Sequence, residues 1–286
     1  MNKIKTLIIG LGKIGFEYDK NIFKNSQILS HSKAIKNNKN YELVAGVDIN
    51  KKKRNLFRKK YNVEVFKSIK DCLKTTSVDL AIIAVPTHAQ FKIFKSLANE
   101  DIKNIICEKP IADKVYEAKK ILKLSNQKKI NVAVNYVRRY NPAIIELKKK
   151  FDKDLLGKVF NGFFWYKENL KHGGCHFVDL ILFLFGKPSS VQILDKIKSI
   201  SPNLLFTFKN FKIYLFSTPK AKYEIGKFEI QTSSNIITYE DDKDIKIFQN
   251  IKNKLFKKEK KLVLKEKIGY KKNVNIKFLY DEFNRS

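Results

Sequence analysis

The chain has 286 residues, of which 43% are hydrophobic and 12% aromatic, as is typical of a globular protein with one or two domains. No segment approaches the roughly 18 consecutive apolar residues of a membrane helix, so we expect no membrane association. The start, Met1–Gly10, has lysines before an apolar run, but the run is too short for a signal peptide and leads directly into glycines. We interpret it as a buried strand.

The formal net charge of +31 raises the question of a nucleic-acid partner. Only five of the 59 basic residues are arginine, and the lysines are spread along the whole chain. Arginine is the usual choice for bidentate contacts to phosphates and bases, so we attribute the charge to lysines at exposed positions. We expect no specific nucleic-acid partner. Nucleic-acid binding is kept as an alternative that rests on charge alone.

The three cysteines, Cys72, Cys107 and Cys175, form no close pair and have no spacing typical of metal ligands. We therefore predict neither a disulfide framework nor a metal site, and expect a cytoplasmic protein.

The first half alternates short β-branched apolar runs with lysine-rich segments of helical length, which predicts a doubly wound parallel sheet of the Rossmann type. The six predicted strands are Lys5–Ile9, Glu42–Val47, Val63–Phe66, Leu80–Val85, Ile102–Cys107 and Ile130–Val134.

After Asn135 the pattern changes, which divides the chain into a dinucleotide-binding domain over 1–135 and an α/β domain over 136–286. A helix is predicted to begin near Asn141-Pro142, and another to cover His176–Phe185 before Gly186. The strand-like segments predict a largely antiparallel open sheet. They include Lys158–Tyr166, Leu204–Lys209, Lys212–Ser217, Lys227–Thr232 and Lys261–Lys265.

The segment Gly10-Leu-Gly12-Lys13-Ile14-Gly15 has the G-x-G-x-x-G pattern after a strand. The first glycine permits a tight turn, the second lets a pyrophosphate approach the backbone, and the third lets helix and strand pack closely. The next strand ends in Asp48, the acid expected to bind the adenosine ribose. Because Asp48 lies further along than the usual ~20 residues, we assume an insertion within Glu17–Ser30.

The Asp48 carboxylate favours NAD as the cofactor, because it would repel the 2′-phosphate of NADP. The basic run Lys51–Arg54 favours NADP or is simply the solvated start of a helix, so NADP is not excluded.

Two further motifs follow predicted strands: Pro86-Thr87-His88, and Glu108-Lys109-Pro110. Ligands of doubly wound folds bind at the carboxyl ends of the strands. There the Lys109 ammonium could lie beside a nicotinamide and polarise or protonate a substrate oxygen, although it could also be an ordinary surface lysine. The predicted cofactor contacts are Gly10, Gly12, Lys13, Ile14, Gly15, Asp48, Pro86, Thr87, His88, Glu108 and Lys109.

Together with Asn135-Tyr-Val-Arg-Arg139 and Gly174-Cys-His176-Phe-Val-Asp179, these motifs resemble the Gfo/Idh/MocA oxidoreductases, a family that includes glucose–fructose oxidoreductase and inositol dehydrogenases. The resemblance covers roughly Ile4 to Gly186. It implies a Rossmann domain followed by an α/β domain whose open sheet carries the substrate site and often the oligomer contact.

The resemblance also implies an NAD(P)-dependent oxidoreductase that acts on a sugar, polyol or nucleotide sugar and forms a homo-oligomer. Lys109 would bond the oxygen that is oxidised or reduced, and His176 would act as general acid or base. Asp179, on the same helix face, would bind substrate or support the site. The predicted substrate contacts are Arg138, Arg139, His172 and Asp179.

Alternatives remain for these residues. Without the resemblance, His176 would more often be a capping or packing residue than a catalyst. Arg138 and Arg139 would hold a substrate anion or form an interdomain ion pair. His172 stands where many family members have an aspartate, in a segment resembling members with N-G-S-H that act in bacterial surface-glycan and nucleotide-sugar pathways.

Because His172 stands in place of that aspartate, a second hypothesis is a catalytically silent dinucleotide-binding subunit or sensor. Family chains also continue beyond a segment like Phe278–Phe283, whereas this chain stops at Ser286, so we expect either a compact second domain or a truncated product.

Overall fold

The computed structural model describes residues 2–22, 27–195, 199–223, 225–240, 243–252, 260–271 and 275–283. The chain forms two compact units, one of Met1–Val137 with Asn273–Ser286 and the other of Arg138–Lys272. This division differs from the predicted bounds of 1–135 and 136–286, because the C-terminal segment belongs to the first unit. Its apolar side chains Ile276 and Leu279 are buried there.

The first unit contains a six-stranded parallel sheet in the order β3-β2-β1-β4-β5-β6, the Rossmann order. This confirms the predicted doubly wound sheet. Every residue of the fourth strand is buried, as expected for a sheet covered on both faces. The strands are β1 (Ile4–Ile9), β2 (Tyr41–Val47), β3 (Glu64–Phe66), β4 (Leu80–Ile83), β5 (Asn104–Cys107) and β6 (Asn131–Val134).

The helices of the first unit bury apolar residues, and most of their lysines are exposed to solvent. They are α1 (His31–Lys36), α2 (Lys51–Tyr61), α3 (Ile69–Thr75), α4 (Thr87–Leu97), α5 (Val115–Lys128) and, at the end of the chain, α8 (Asn275–Phe283). A short 3₁₀ turn lies at Glu17–Asp19 and a second at Val137–Tyr140.

The crossover after the glycine motif is interrupted by the predicted insertion. The backbone N–H of His31 donates to Ile14 O at 2.9 Å, and that of Ser32 donates to Gly15 O at 3.1 Å. The helical hydrogen bonding that starts in the motif is therefore resumed by α1. The buried Asp19 carboxylate ties the far end of the insertion down by accepting the Ser30 N–H at 3.0 Å. The insertion thus leaves the contact of helix and strand intact.

The second unit is built on an eight-stranded sheet in the order β14-β13-β12-β11-β7-β10-β9-β8. All neighbours pair antiparallel except β10 and β7, which are parallel. The largely antiparallel open sheet is confirmed. Its strands are β7 (Val159–Tyr166), β8 (Ser190–Ile193), β9 (Leu204–Thr207), β10 (Lys212–Ser217), β11 (Gly226–Thr232), β12 (Asn235–Glu240), β13 (Ile245–Lys252) and β14 (Lys260–Ile268).

Two helices, α6 (Pro142–Asp152) and α7 (Cys175–Phe185), cover one face of this sheet. Asn141 caps α6 by accepting the Ala143 N–H, and Pro142 occupies its first turn, as the sequence predicts. The core between helices and sheet is rich in aromatic rings, including Phe164 and Phe177. In the part of the chain that the structure describes, no helix has both the length and the apolar character needed to cross a bilayer.

Candidate cofactor and substrate sites

The three glycines of the motif differ in what surrounds them. Gly10 has φ +96°, and a Cβ there would lie 2.6 Å from Ala84 O. A Cβ on Gly15 would lie 2.1 Å from Gly10 O. Both positions therefore require glycine for the fold itself. At Gly12 a Cβ would meet only the flexible end of Lys53, at 3.5 Å, so the space above this backbone is open to a ligand. This arrangement fits a pyrophosphate lying against the loop.

Asp48 lies directly after β2 and is held against the glycine motif. Its Oδ2 accepts the Leu11 N–H at 2.8 Å, and its Oδ1 accepts the Asn50 N–H at 2.8 Å. The carboxylate is therefore fixed at the carboxyl end of β2, where the ribose of a dinucleotide binds in Rossmann folds.

Two of the four cations of the run Lys51–Arg54 already have protein acceptors. Arg54 Nη1 donates to the backbone oxygens of Asp48 and Ile49 at 2.8 and 3.0 Å. Lys53 Nζ lies 3.5 Å from Glu17 Oε2. Neither cation is therefore free of competing contacts for a 2′-phosphate.

The motifs that follow β1, β4 and β5 lie at one edge of the sheet. Ile9 pairs with Ile83, and Ile83 pairs with Cys107, so the residues after these three strand ends are neighbours. Of the predicted cofactor contacts here, Pro86 and His88 are exposed. Thr87 and Lys109 are half-buried, and Glu108 is buried. The Lys109–Pro110 peptide is cis.

Behind Lys109 lies a buried chain of hydrogen bonds. Tyr280 Oη is 2.5 Å from His31 Nδ1, and His31 Nε2 is 2.9 Å from Glu108 Oε1. Asn135 Nδ2 donates to the same Glu108 oxygen at 2.5 Å. The second oxygen, Oε2, accepts the Lys109 N–H at 3.2 Å. All of these groups except Lys109 are buried.

Sequence reasoning assigned no role to His31 or Tyr280, and included Asn135 only as part of a motif. Asn135 directly follows β6, so the rule that selected residues at strand ends would have found it. His31 is separated from the glycine motif by the insertion, and Tyr280 lies 249 residues from its partner. No local pattern indicates that contact.

In the second unit, a π-helical turn over Leu170–Gly174 leads directly into α7. Asn169 Oδ1 caps the turn by accepting the His172 N–H at 2.9 Å. A Cβ on Gly173 would lie 2.0 Å from Lys167 O, so this turn requires glycine. Such turns are frequent at functional sites. His172 is exposed on it, and His176 is half-buried in the first turn of α7.

Arg139 forms a two-point ion pair with Asp179 of α7. Nε donates to Oδ2 at 2.9 Å, and Nη2 donates to Oδ1. Burial raises the pKa of Asp179, and the hydrogen bond and charge of Arg139 oppose that shift. Both residues belong to the second unit, so this is not the interdomain pair considered from the sequence. Arg138 instead stacks on Phe177, 5.1 Å from the ring centre.

The fold and the glycine loop define a Rossmann-type dinucleotide-binding protein. Residues 4–136 match the family model described as the oxidoreductase family with an NAD-binding Rossmann fold, Gfo/Idh/MocA. This match covers somewhat less than half of the chain, and over these residues it confirms the resemblance noted in the sequence.

Curated relatives carry names of oxidoreductases. An oxidoreductase of Schizosaccharomyces pombe is 26% identical over 49% of this chain and 44% of its own length. The inositol 2-dehydrogenase of Rubrobacter xylanophilus is 30% identical over 44% of this chain and 36% of its own. The chain thus spans less than half the length of these relatives.

Solved structures share the fold of both units. A dehydrogenase from Chromobacterium violaceum superposes with a TM-score of 0.78, covering 99% of this chain and 87% of that one at 14% identity. The WlbA dehydrogenase from the same organism, in complex with NADH and UDP-GlcNAcA, has a TM-score of 0.68, covering 82% and 73% at 16% identity.

Proposed function

We propose that the protein is an NAD(H)-dependent oxidoreductase that interconverts an alcohol and a carbonyl on a sugar, polyol or nucleotide sugar. The observation that carries the proposal is the glycine loop, where Gly10 and Gly15 are required by backbone contacts while the space above Gly12 is open beside the fixed Asp48 carboxylate. A family of NAD-binding oxidoreductases matches this unit. The nicotinamide of the bound dinucleotide would accept or supply the hydride.

The geometry around Asp48 supports NAD over NADP. The carboxylate is held by two backbone N–H groups, so it cannot turn away from a 2′-phosphate without losing them. The Arg54 guanidinium beside it is bound to the backbone carbonyls of Asp48 and Ile49. Like-charge repulsion therefore disfavours NADP at this position.

Lys109 and His176 are proposed as the residues that handle the substrate proton and oxygen. Lys109 follows β5 at the carboxyl edge of the sheet, and its ammonium would donate a hydrogen bond to the oxygen that changes oxidation state. His176 would take up or return the hydroxyl proton, since a neutral imidazole accepts a proton near pH 7. Both roles rest on the family resemblance together with the half-buried position of each side chain.

Substrate contacts are proposed for Arg138, Arg139, His172 and Asp179. The Arg139–Asp179 pair leaves part of the guanidinium exposed, 33% for the side chain, so it could still meet a carboxylate or phosphate of the substrate. The WlbA dehydrogenase from Chromobacterium violaceum was solved in complex with UDP-GlcNAcA, which supports a nucleotide-sugar substrate. The proposed role in surface-glycan biosynthesis rests on the family resemblance alone.

We also propose a homo-oligomer formed through the outer face of the second sheet. Side chains alternate along β7 and β10, so that Phe164 points to the core while Phe163 and Trp165 lie on the opposite face. There they meet Tyr214 and Phe216 of β10, with ring centres 5.5 and 6.1 Å apart. A contiguous aromatic face of this kind is typical of an interface. Light scattering of the wild type and of Trp165→Glu tests this, because a charge in the interface should yield the monomer.

A cytoplasmic location is part of the proposal. Its support is that Cys72, Cys107 and Cys175 form no disulfide, as is usual in a reducing compartment.

The test of the function begins with fluorescence titrations of the full chain with NADH and NADPH. Saturable binding with NADH preferred supports the assignment of Asp48, and a preference for NADPH overturns it. A folded protein that binds neither cofactor contradicts the proposal.

Turnover is then measured with a panel of sugars, polyols and nucleotide sugars. Lys109→Ala and His176→Ala should each lower kcat by about 10²–10⁴-fold on a substrate that the wild type uses, the usual cost of losing a proton-transfer group. Lys123→Ala, on the exposed face of α5, is the matched control and should have no effect. Tight NADH binding without any turnover would favour the silent subunit or sensor.

A further inference from the structure

The hydrogen-bond chain Tyr280–His31–Glu108–Asn135 has a direction set by its chemistry. The Glu108 carboxylate can only accept at its contact with His31, so Nδ1 of the neutral imidazole is the side left to accept the Tyr280 hydroxyl, 2.5 Å away. The opposite nitrogen, Nε2, then carries the hydrogen and donates to Glu108 Oε1. Asn135 donates to the same oxygen from the other side. All three side chains therefore orient hydrogen bonds toward one carboxylate.

This series of hydrogen bonds ends at the backbone of Lys109. Oε1 of Glu108 receives His31 and Asn135, which leaves Oε2 to accept the Lys109 N–H at 3.2 Å. The position of the Glu108 carboxylate therefore fixes the position of the Lys109 backbone, from which the proposed catalytic ammonium extends.

The other end of the hydrogen-bond series, Tyr280, lies on α8. Tyr280 is fully buried, and α8 is also held by two contacts that do not reach Glu108: Tyr41 Oη donates to Tyr280 O at 2.9 Å, and Asn38 Nδ2 donates to Asp281 Oδ1 at 3.0 Å. Docking of this helix and positioning of the Lys109 loop can therefore be separated by substitution.

We propose that Tyr280, His31 and Asn135 are positioning residues for Lys109, acting through the Glu108 carboxylate, and that α8 thereby completes the reactive edge of the first unit. The role in catalysis rests on the proposed function; the positioning itself does not. A hydrophobic residue of similar shape in place of His31 would preserve packing but would remove a donor from the Glu108 carboxylate. The Lys109 ammonium would then be displaced, and small displacements of a reacting group are costly.

The experiment compares Tyr280→Phe with Tyr41→Phe in the full chain. Tyr280→Phe deletes the donor to His31. Tyr41→Phe deletes a buried hydroxyl that holds the same helix but takes no part in the hydrogen bonds from Tyr280 to Glu108. Hydrogen exchange of the Lys109 amide should become about tenfold faster in Tyr280→Phe and stay unchanged in Tyr41→Phe. Amides of β1 and β4 should be unchanged in both.

His31 provides a rescue test. His31→Leu removes both hydrogen bonds, whereas the amide nitrogen of His31→Gln can still donate to Glu108. On a substrate that the wild type uses, His31→Leu should lower kcat by about 10- to 100-fold with the Kd for NADH changed less than about twofold, and His31→Gln should recover most of kcat.

Three results would overturn the proposal. They are Lys109 amide exchange in Tyr280→Phe equal to that of the wild type, an equal increase in Tyr41→Phe, and an increase spread over the whole sheet. If Tyr280→Phe does not fold, the same exchange measurement on His31→Gln and His31→Leu decides. A wild type that uses no substrate refutes the proposed function. Hydrogen exchange of the Lys109 amide still decides whether the hydrogen bonds through Glu108 position Lys109.

Discussion

The ion pair between Arg139 and Asp179 predicts a pH-dependent loss of stability when the arginine is replaced. Arg139→Met removes both hydrogen bonds to a carboxylate that is only 7% exposed. Breaking a buried pair costs about 3–5 kcal/mol, and breaking an exposed pair costs about 0–1 kcal/mol. Because the Arg139 side chain is 33% exposed, we expect an intermediate loss of about 2 kcal/mol at pH 7.

The sign of the pH dependence follows from the pKa of Asp179. Burial raises this pKa and Arg139 lowers it, so the substitution raises it further. A carboxyl whose pKa is higher in the folded than in the unfolded protein takes up a proton on folding. Its effect on stability therefore becomes less favourable as pH rises from the unfolded value, about 3.9, through the folded one. The deficit of Arg139→Met should thus be smallest near pH 4 and largest at neutral pH.

Urea unfolding followed by the fluorescence of Trp165 measures this effect, because the chain has a single tryptophan and it lies in β7 of the same unit. Arg139→Met/Asp179→Asn is the matched control and should recover part of the loss, since the buried charge is gone. A loss below about 0.5 kcal/mol at pH 7, or a deficit that grows toward acid pH, would refute the reasoning.

Two further predictions concern the first unit. Gly15→Ala should destabilise the fold, because its Cβ would lie 2.1 Å from Gly10 O. Gly12→Ala should unfold at the wild-type temperature yet bind NADH about tenfold more weakly. Differential scanning fluorimetry measures the unfolding temperatures, and a fluorescence titration measures the affinity for NADH. Burial raises the pKa of the Cys107 thiol to about 12 and that of Cys72 to about 11, so iodoacetamide at pH 8 should modify neither until the protein is unfolded; mass spectrometry showing rapid native labelling of either would contradict this.

Much of the fold was predictable because local patterns carry it. The parallel strands are short apolar runs ended by polar residues, and all six were predicted to within a few residues. In the second unit, β8, β12 and β13 were not among the predicted strands. All four residues of β8 are exposed, so its sequence, Ser190–Ile193, has no buried face to indicate a strand.

The candidate site was predictable in its individual parts but not in their connections. Each residue at a strand end could be found from the rule that ligands bind at the carboxyl edge of a parallel sheet. The pairing of Arg139 with Asp179 was not predicted, because two residues 40 positions apart meet only through the packing of α7. Whether Arg139 faces a substrate or an acid was therefore left open.

The sequence by itself determined the Rossmann sheet, the glycine loop, the acid at the end of β2 and the existence of the insertion, because each depends on spacing and hydrophobic pattern within a few dozen residues. Only the tertiary structure decided that the C-terminal helix returns to the first unit and that Tyr280 meets His31 behind Lys109. Such a contact depends on complementary shape and buried hydrogen bonding between distant segments, which no local pattern encodes.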